Sequence, residues 1–388
     1  MLLQTPKLDD DDLSVLGEIE QMRRDLQLHV RARPHWTGQL RRELFAAAVQ
    51  GSNTIEQITV SMSDARAAVE GQTLSAEVDA QTQAAILGYR DAMTFVQQTP
   101  LMANFSHGEM LLSSLHFMIL KYNMPKWPGR YRAGGIYVTG SDPLEPAYIG
   151  PDADQVPGLM RELVEWLNEG DLGQPALVRA AMAHLNLVCV HPWRDGNGRM
   201  GRCLHTLVLA RDGVLAPEFS SIEQWLGDQV HTVQYYQALQ ETQGGSFQPE
   251  RDARPWLRFA LTAHHKQAQL VQRRVDYSAR LWRELEQVAA ERGLPERVVS
   301  ALYAAALGEM RRTTYQGDEN LTRDQAIRDV QALVKNGLVR ARGNAATRVY
   351  LIDGVAKEAH LASMDAVRKP MREPYREIER DRRRAETR

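Results

Sequence analysis

The 388-residue sequence predicts a mainly α-helical protein, broken by one β-hairpin and followed by a smaller unit of helices and a second hairpin. Three observations predict it. Apolar residues recur three and four apart through most of the chain before Gln272, the period of an amphipathic helix. A short β-branched and aromatic stretch, Ile136 to Thr139, lies among turn residues and has a partner in Ala147-Tyr148-Ile149. Beyond Tyr277 a further helical pattern ends at Asn336-Gly337, and Leu338 to Arg340 and Arg348 to Leu351 read as strands around Gly343-Asn-Ala-Ala.

The elements follow in order. Leu13, Leu16 and Ile19, then Leu40, Leu44 and Ala47, mark the first helices, with Pro34 between them. Leu111 to Leu120 is a third. After the hairpin, helices resume at Val156, with Leu159, Leu163, Trp166 and Leu167 on one face. The next runs from Pro175, a good first-turn residue, to about Val190. A glycine-rich loop leads into a helix bearing Leu204, Leu207, Val208 and Leu209. Ile222 to Thr242 and Trp256 to Gln272 read as helices, then Leu281 to Ala290 and Val298 to Ala306, parted by Gly293-Leu-Pro. Thr322 starts a helix with Ala326, Val330, Leu333 and Val334 on one face. The tail from Lys357 mixes both charge signs and has few bulky apolar residues, which predicts a solvated or loosely helical end. This reading divides the chain into a helical region at 1–105, a core at 106–270, a second domain at 277–355 and a charged tail at 356–388.

Composition bounds the function. Apolar residues make up 43% and charged residues 25%, as in globular proteins, and the net charge of −2 leaves no global pull toward nucleic acid or membrane. No run approaches the ~20 apolar residues that span a bilayer. The N-terminus, with Asp9 to Asp12, lacks a signal-peptide layout. Two cysteines, Cys189 and Cys203, make no disulfide framework, so a cytoplasmic setting is expected.

One segment concentrates chemistry: His191-Pro-Trp-Arg-Asp-Gly-Asn-Gly-Arg-Met-Gly-Arg202. Its glycines let the backbone bend and approach a ligand. A helix starting near Asn197 or Gly198 would aim its free N–H groups into the loop, an anion site. Arg199 and Arg202, three apart, reach one side of that helix. Asp195 could hold a divalent cation bridging phosphate oxygens, and His191 could accept a proton. Together these groups describe phosphoryl or nucleotidyl transfer. Gly196-x-Gly198-x-x-Gly201 also matches a dinucleotide fingerprint, but five residues separate it from the preceding apolar run and no βαβ unit surrounds it. Cys189-x-His191 and Cys203-x-His205 offer zinc ligands at spacings narrower than usual, and buried cysteines acting as small apolar residues account for them better.

The segment resembles the Fic (filamentation induced by cyclic AMP) family signature, His-Pro-Phe-x-Asp-Gly-Asn-Gly-Arg-x-x-Arg, with Trp193 in the phenylalanine position. The likeness extends over roughly residues 35 to 265, and includes His184 and Tyr235-Tyr236-Gln-Ala-Leu239. It implies a Fic helical core with a β-hairpin flap, followed by a winged helix-turn-helix domain. It also implies a protein adenylyltransferase that moves AMP from ATP to a hydroxyl of a target protein or of itself. By that resemblance His191 is the base, Asp195 carries Mg²⁺, and Asn197 with the backbone at Gly196 and Gly198 holds the α-phosphate. Arg199 and Arg202 take the β- and γ-phosphates. Gly198 stands where the phosphorylating branch has lysine, which favours AMP transfer, with transfer of another phosphate-containing group or removal of AMP as alternatives. Tyr235 or Tyr236 is expected against the adenine, and the flap strand at Ile136, Tyr137 and Val138 is expected to dock a target segment.

Ser52-Asn-Thr-Ile-Glu56-Gln57 resembles the family's inhibitory motif, Ser/Thr-x-x-x-Glu-Gly/Asn, apart from Gln57. The resemblance implies that Glu56 sits on Arg202, a carboxylate in a site built for phosphate. Asn320 to Arg340 resembles the recognition helix and first wing strand of a winged helix. From Glu296 to Leu351 there are nine basic and six acidic residues, a modest excess, so a DNA partner and a protein partner both stay open. A transcriptional regulator with a nucleotide-sensing core is therefore the rival function, and a homodimer is a further expectation.

Overall fold

The computed structural model describes residues 1–32, 35–139, 146–344 and 348–386. Pro34, the hairpin turn at 140–145, and Ala345 and Ala346 of the second hairpin lie outside them. The chain forms two compact units: residues 1–25, 44–268 and 372–388, and residues 26–43 and 269–371.

In chain order, α1 (Asp10–Arg31) opens on three aspartates and closes on His29 and Arg31, charges that complement the helix dipole at both ends. It is followed by α2 (Thr37–Ile55), α3 (Met62–Val69), α4 (Ala80–Gln98) and α5 (Glu109–Leu120). Ser61 caps α3 through the Asp64 N–H, and Asp79 caps α4 through Gln81 and Thr82. The antiparallel hairpin β1 (Tyr137–Thr139) and β2 (Pro146–Ile149) comes next, with Tyr137 opposite Ile149 and Val138 opposite Tyr148. Then come α6 (Val156–Glu169), α7 (Ala176–Val190) and α8 (Asn197–Asp212). Two single-turn helices, α9 (Pro217–Ser220) and α10 (Glu223–Leu226), precede α11 (Gln229–Gln243) and α12 (Arg254–Glu291).

The expected helix from Ile222 to Thr242 is divided, because Gly227 closes α10 and Asp228 caps a fresh start at Val230. Conversely, the two helices expected between Trp256 and Ala290 are one helix of 38 residues, since neither glycine nor proline falls between Pro255 and Gly293.

The first unit is built around α7 and α8. Almost every residue of α7 from Leu177 to Val190 is buried, and so is most of α8. They cross closely because Gly201 has no side chain; a Cβ there would lie 2.8 Å from Val188 Cγ1. Phe45, Val49, Ile55, Ile86 and Tyr89 from the N-terminal helices share one core with Leu112, Leu185, Trp193 and Leu207. Residue 105 is thus no domain boundary.

The second unit carries α13 (Val298–Leu307), α14 (Arg312–Asp318) and α15 (Arg323–Lys335), then the antiparallel strands β3 (Val339–Arg342) and β4 (Val349–Ile352), then α16 (Gly354–Ala366). Thr322 and Gln325 form a capping box at the start of α15. Met310 exchanges two 2.9 Å backbone hydrogen bonds with Tyr350, adding a one-residue third strand that its isolation hides in sequence. Leu302, Tyr303, Val330, Leu333 and Leu338 are buried in this unit.

The chain's last element, α17 (Pro374–Glu386), belongs to the first unit. The end of the charged tail is therefore a docked helix, which corrects the solvated alternative there. The Tyr375 hydroxyl donates to Asp12 at 3.0 Å, Arg382 pairs with Asp11 at 2.6 Å, and Tyr375 and Ile378 pack on the core.

Candidate active site

The loop between α7 and α8 is shaped by two left-handed residues. His191 ends α7 at φ +49°, its N–H bonded to Leu187 O, and Gly196 turns the chain at φ +79° into α8. Between them Trp193 is buried and stacks on His116 of α5, with ring centroids 4.3 Å apart and planes 5° from parallel. Asn197 latches the loop shut: its Oδ1 accepts from Trp193 N–H at 3.0 Å and its Nδ2 donates to Trp193 O at 2.8 Å. That side-chain amide is fully used, so Asn197 offers a ligand only its backbone N–H. The first intrahelical bond of α8 is Met200 N–H to Gly196 O, which leaves the N–H groups of its first turn without intrahelical partners.

His116 holds the loop from beneath. Gly129 N–H donates to its Nδ1 at 2.8 Å, so its proton sits on Nε2 and is donated to Asp195 O at 2.9 Å. Burial, first of all, pulls this imidazole down to about 4, which keeps it neutral.

His191 is the candidate base. Its Nδ1 lies 3.2 Å from Val188 O, a carbonyl that can only accept, so the proton belongs on Nδ1 and Nε2 keeps its lone pair. Burial pulls its pKa down to about 4; the Val188 carbonyl opposes this and Arg132 adds to it. Arg132, buried, ties the base of the hairpin to the loop. It donates through Nε to His191 O at 2.9 Å, through its backbone N–H to Pro192 O at 2.9 Å, and through Nη2 to Pro151 O at 2.6 Å. The Tyr148 hydroxyl of β2 donates to Cys189 O at 2.5 Å.

The hairpin's β2 is bonded on both sides, since Ile149 also exchanges backbone hydrogen bonds with Gly245 and Phe247. The outer edge of β1 makes no such bonds among the described residues, and Tyr137 is 69% exposed. Ile136 and Val138 are half-buried.

The two candidate anion-binding arginines, Arg199 and Arg202, lie on one side of α8, both buried. Arg199 donates to the Tyr122 hydroxyl at 3.2 Å. Arg202 donates through Nε to Ser52 Oγ at 2.8 Å, and through Nη2 to Ser52 O at 3.0 Å and Glu56 Oε1 at 2.7 Å. Burial works to raise the Glu56 carboxyl, but the guanidiniums of Arg202 and Arg199 outweigh it and hold the group below its ordinary value, ionised. The same carboxylate crowds Gly198, where a Cβ would lie 2.5 Å from Glu56 Oε1.

The end of α2 is fully bonded. Gln57 N–H bonds to Thr54 O and Ile58 N–H to Asn53 O, a Schellman motif with Gln57 at φ +61°. This left-handed position explains why glycine or asparagine suits the motif here; Gln57 adopts it at a cost of about 1 kcal/mol. Arg202 takes the Ser52 carbonyl and the Tyr236 hydroxyl takes the Ile55 carbonyl at 3.2 Å.

The two tyrosines differ in position. Tyr235 is buried, with its hydroxyl 3.0 Å from His184 Nε2, so it has no face for a base. Tyr236 is 45% exposed. Cys189 and Cys203 are buried free thiols, and the Cys189 thiol is pushed up to about 12 by burial. Among the described residues no group of three or more His, Cys, Asp or Glu side chains is placed to hold a metal ion. Asp195 spends Oδ1 on the Gly196 N–H at 2.6 Å, and its Oδ2 has no hydrogen-bond partner among the described residues.

His116, Arg132, Tyr122 and Tyr148 escaped sequence reasoning. His116 sits in an apolar helix and reads as core, and Arg132 carried only the signal of a basic residue between glycines ahead of a strand.

A helical core is wrapped around a glycine-rich loop, with a neutral, half-buried histidine at the loop's mouth. Residues 109–209 match the Fic/DOC family, and the chain carries a Fic-family domain there. The chain is 28% identical over 233 residues to protein adenylyltransferase fic-1 of Caenorhabditis elegans, covering 59% of this chain and 41% of that protein. It is 27% identical over 258 residues to protein adenylyltransferase Fic of Nematostella vectensis, covering 66% and 55%. It thus spans about half the length of the curated relatives it matches. Its fold is similar to that of a Fic family protein from Desulfovibrio desulfuricans, with a TM-score of 0.58 at 21% identity over 90% of this chain and 98% of that one. It is also similar to Fic-1 (residues 134 to 508) of C. elegans, with a TM-score of 0.54 at 24% identity over 68% and 71%.

Proposed function

We propose that this chain transfers AMP from ATP to a hydroxyl of a target protein, or of itself, and that Glu56 holds it inactive. The observation that carries this reading is the convergence of a lone-pair-bearing His191 Nε2, the first turn of α8 and two buried arginines on one loop, with Glu56 ion-paired to the second arginine. In the reaction, the target hydroxyl gives its proton to His191 Nε2 as its oxygen bonds to the α-phosphorus. The bond from that phosphorus to the β-bridging oxygen breaks, and pyrophosphate leaves. The N–H groups of the α8 first turn hold the phosphate that gains charge, and Arg199 and Arg202 hold the leaving group.

Asp195, whose Oδ2 is free of hydrogen bonds among the described residues, would hold Mg²⁺. When bound, the ion neutralises phosphate charge. Tyr236, partly exposed and next to the inhibitory helix, is the aromatic face available to a nucleobase. The open β1 edge at Ile136, Tyr137 and Val138 suits an extended target segment adding as a strand. Two buried free thiols fit a reducing, cytoplasmic compartment. Among the described residues no helix is long and apolar enough to cross a membrane.

The test is incubation with α- and γ-labelled ATP and Mg²⁺. Glu56→Gly is expected to raise self-labelling from the α position by roughly tenfold or more, the factor that ~1.4 kcal/mol of relieved competition gives. His191→Ala should abolish it. Label from the γ position would replace AMP transfer with phosphorylation, and equal labelling of wild type and Glu56→Gly would remove the brake.

A further inference from the structure

The second unit holds a cleft of about 620 Å³ between the start of α14, the exposed face of α15 and the β3–β4 hairpin. Its apolar lining is Ile327, Val330, Val334 and Tyr350, with Val334 43% exposed. Its polar rim is cationic: Arg311, Arg312, Lys335 and Arg348 line it, and no acidic side chain does among the described residues. This is a segregation of charge, because four of the nine basic residues between Glu296 and Leu351 gather there and none of the six acids. Three of the acids are engaged elsewhere. Asp329 pairs with Arg297 at 2.8 Å and accepts from the Tyr315 hydroxyl, Asp318 pairs with Arg42 at 2.6 Å, and Glu309 pairs with Arg342. The four rim cations form no ion pair among the described residues; Arg312 donates only to Gln316.

We infer that this cleft binds a short acidic peptide segment of a partner protein, seated by at least one large apolar side chain. An apolar floor excludes water and takes the anchor, while unpaired rim cations select negative charge and steer its approach. The volume is that of a pocket taking a small ligand or a few side chains.

Duplex DNA suits the geometry less well. A recognition helix reads bases by projecting its N-terminal residues into the major groove. Here the first turn of α15 exposes Arg323 beside Asp324, so its charge cancels, and the helix face flanked by Arg311 and the hairpin is a recessed floor with Gln331 among apolar neighbours.

The inference is independent of the AMP-transfer reading and is tested on the full chain. A displayed random-peptide library is panned on wild-type protein, and retained peptides are assayed by fluorescence anisotropy against wild type, Arg311→Glu/Arg348→Glu and Val334→Asp. A random-sequence DNA duplex is run in parallel by gel shift at low salt. Retained peptides should carry net negative charge and a large apolar residue, and both variants should bind them about tenfold or more weakly. Val334 is exposed, so the single variant keeps the test sound if the double charge reversal unfolds. Retained peptides that bind all three proteins equally, or a library that yields no binder, would overturn the inference. A duplex retarded by wild type and released by the variants would assign the cleft to nucleic acid instead.

Discussion

The chemistry of single residues here is set mostly by burial. His191 keeps its proton on Nδ1 and is pulled down to about 4, so Nε2 is unprotonated throughout the neutral range. The sign follows: the base form is lost only as pH falls through that low value, not at the ordinary histidine value near 6.5. In the Glu56→Gly variant, kcat/KM should be flat on its acid side from pH 8 to 6, above the range where the fold itself is lost. A limb centred at 6.5 would show a solvated, unperturbed imidazole. Trp193 is a second case. Its indole fills the place of the family's phenylalanine and stacks flat on His116, while its Nε1 has no hydrogen-bond partner, so it acts there purely as an apolar plate.

At the level of elements, the depth of α2 is set by a missing side chain. A Cβ on Gly51 would lie 2.2 Å from Glu223 O, and one on Gly227 would lie 2.4 Å from Gly51 Cα, so α2 rests directly on the α10 backbone. Gly51→Ala must push α2 outward, carrying Ser52 and Glu56 away from Arg202. It should cost about 1–3 kcal/mol of stability and raise AMP transfer above wild type, though less than Glu56→Gly does. Urea midpoints and initial rates check both, and an Ala variant as inactive as wild type would show that α2 tolerates the shift. Much of this architecture was legible from periodicity. α7 and α8, the loop between them, and the hairpin all announced themselves through apolar spacing and glycine. Two kinds of information were not. The joined length of α12 depends on the absence of a breaker, which reads as two patterns when its buried face drifts around the helix. The docking of α17 depends on distant partners, because a helix of arginines and acids looks solvated until Asp11, Asp12 and the core supply its inner face. The motif marks the candidate site in the sequence, but the Tyr235 and Asn197 side chains serve the core and the loop, which only packing reveals.

At the scale of the whole chain, the first unit stores an unusual number of neutral imidazoles. His116, His184, His205 and His264 are all buried, and burial is the leading reason each sits far below the ordinary histidine value. Because their folded values are depressed, the unfolded chain binds more protons below about pH 6.5, and stability present above that pH is lost as pH falls. Glu223 works the other way. Burial raises it to about 7, so between about pH 7 and 4.5 the fold takes that proton first and offsets one histidine. His191 is depressed as well, so the lowered imidazoles outnumber the one raised carboxyl and the net effect is a loss of stability as pH falls below about 6.5. Against a typical stability of about 5–15 kcal/mol, cooperative acid unfolding is expected between pH 6 and 4, roughly the window these shifts define. Circular dichroism against pH reads it directly, and a signal unchanged down to pH 4 would mean the imidazoles are charged in the fold.

If Glu56 is the brake proposed above, the way Arg202 divides its donors decides how it yields. Ser52 holds Nε and shares Nη2 with Glu56, while Nη1 has no partner. Rotating Glu56 away would then leave the guanidinium aimed and the end of α2 intact, so release would be a side-chain rotation rather than the melting of a helix. The resting protein then behaves as two populations, one with the carboxylate in and one with it out. Nucleotide affinity is scaled down by the fraction that is out. On this account inhibition is a tariff on ATP occupancy, lightest where the nucleotide is most concentrated.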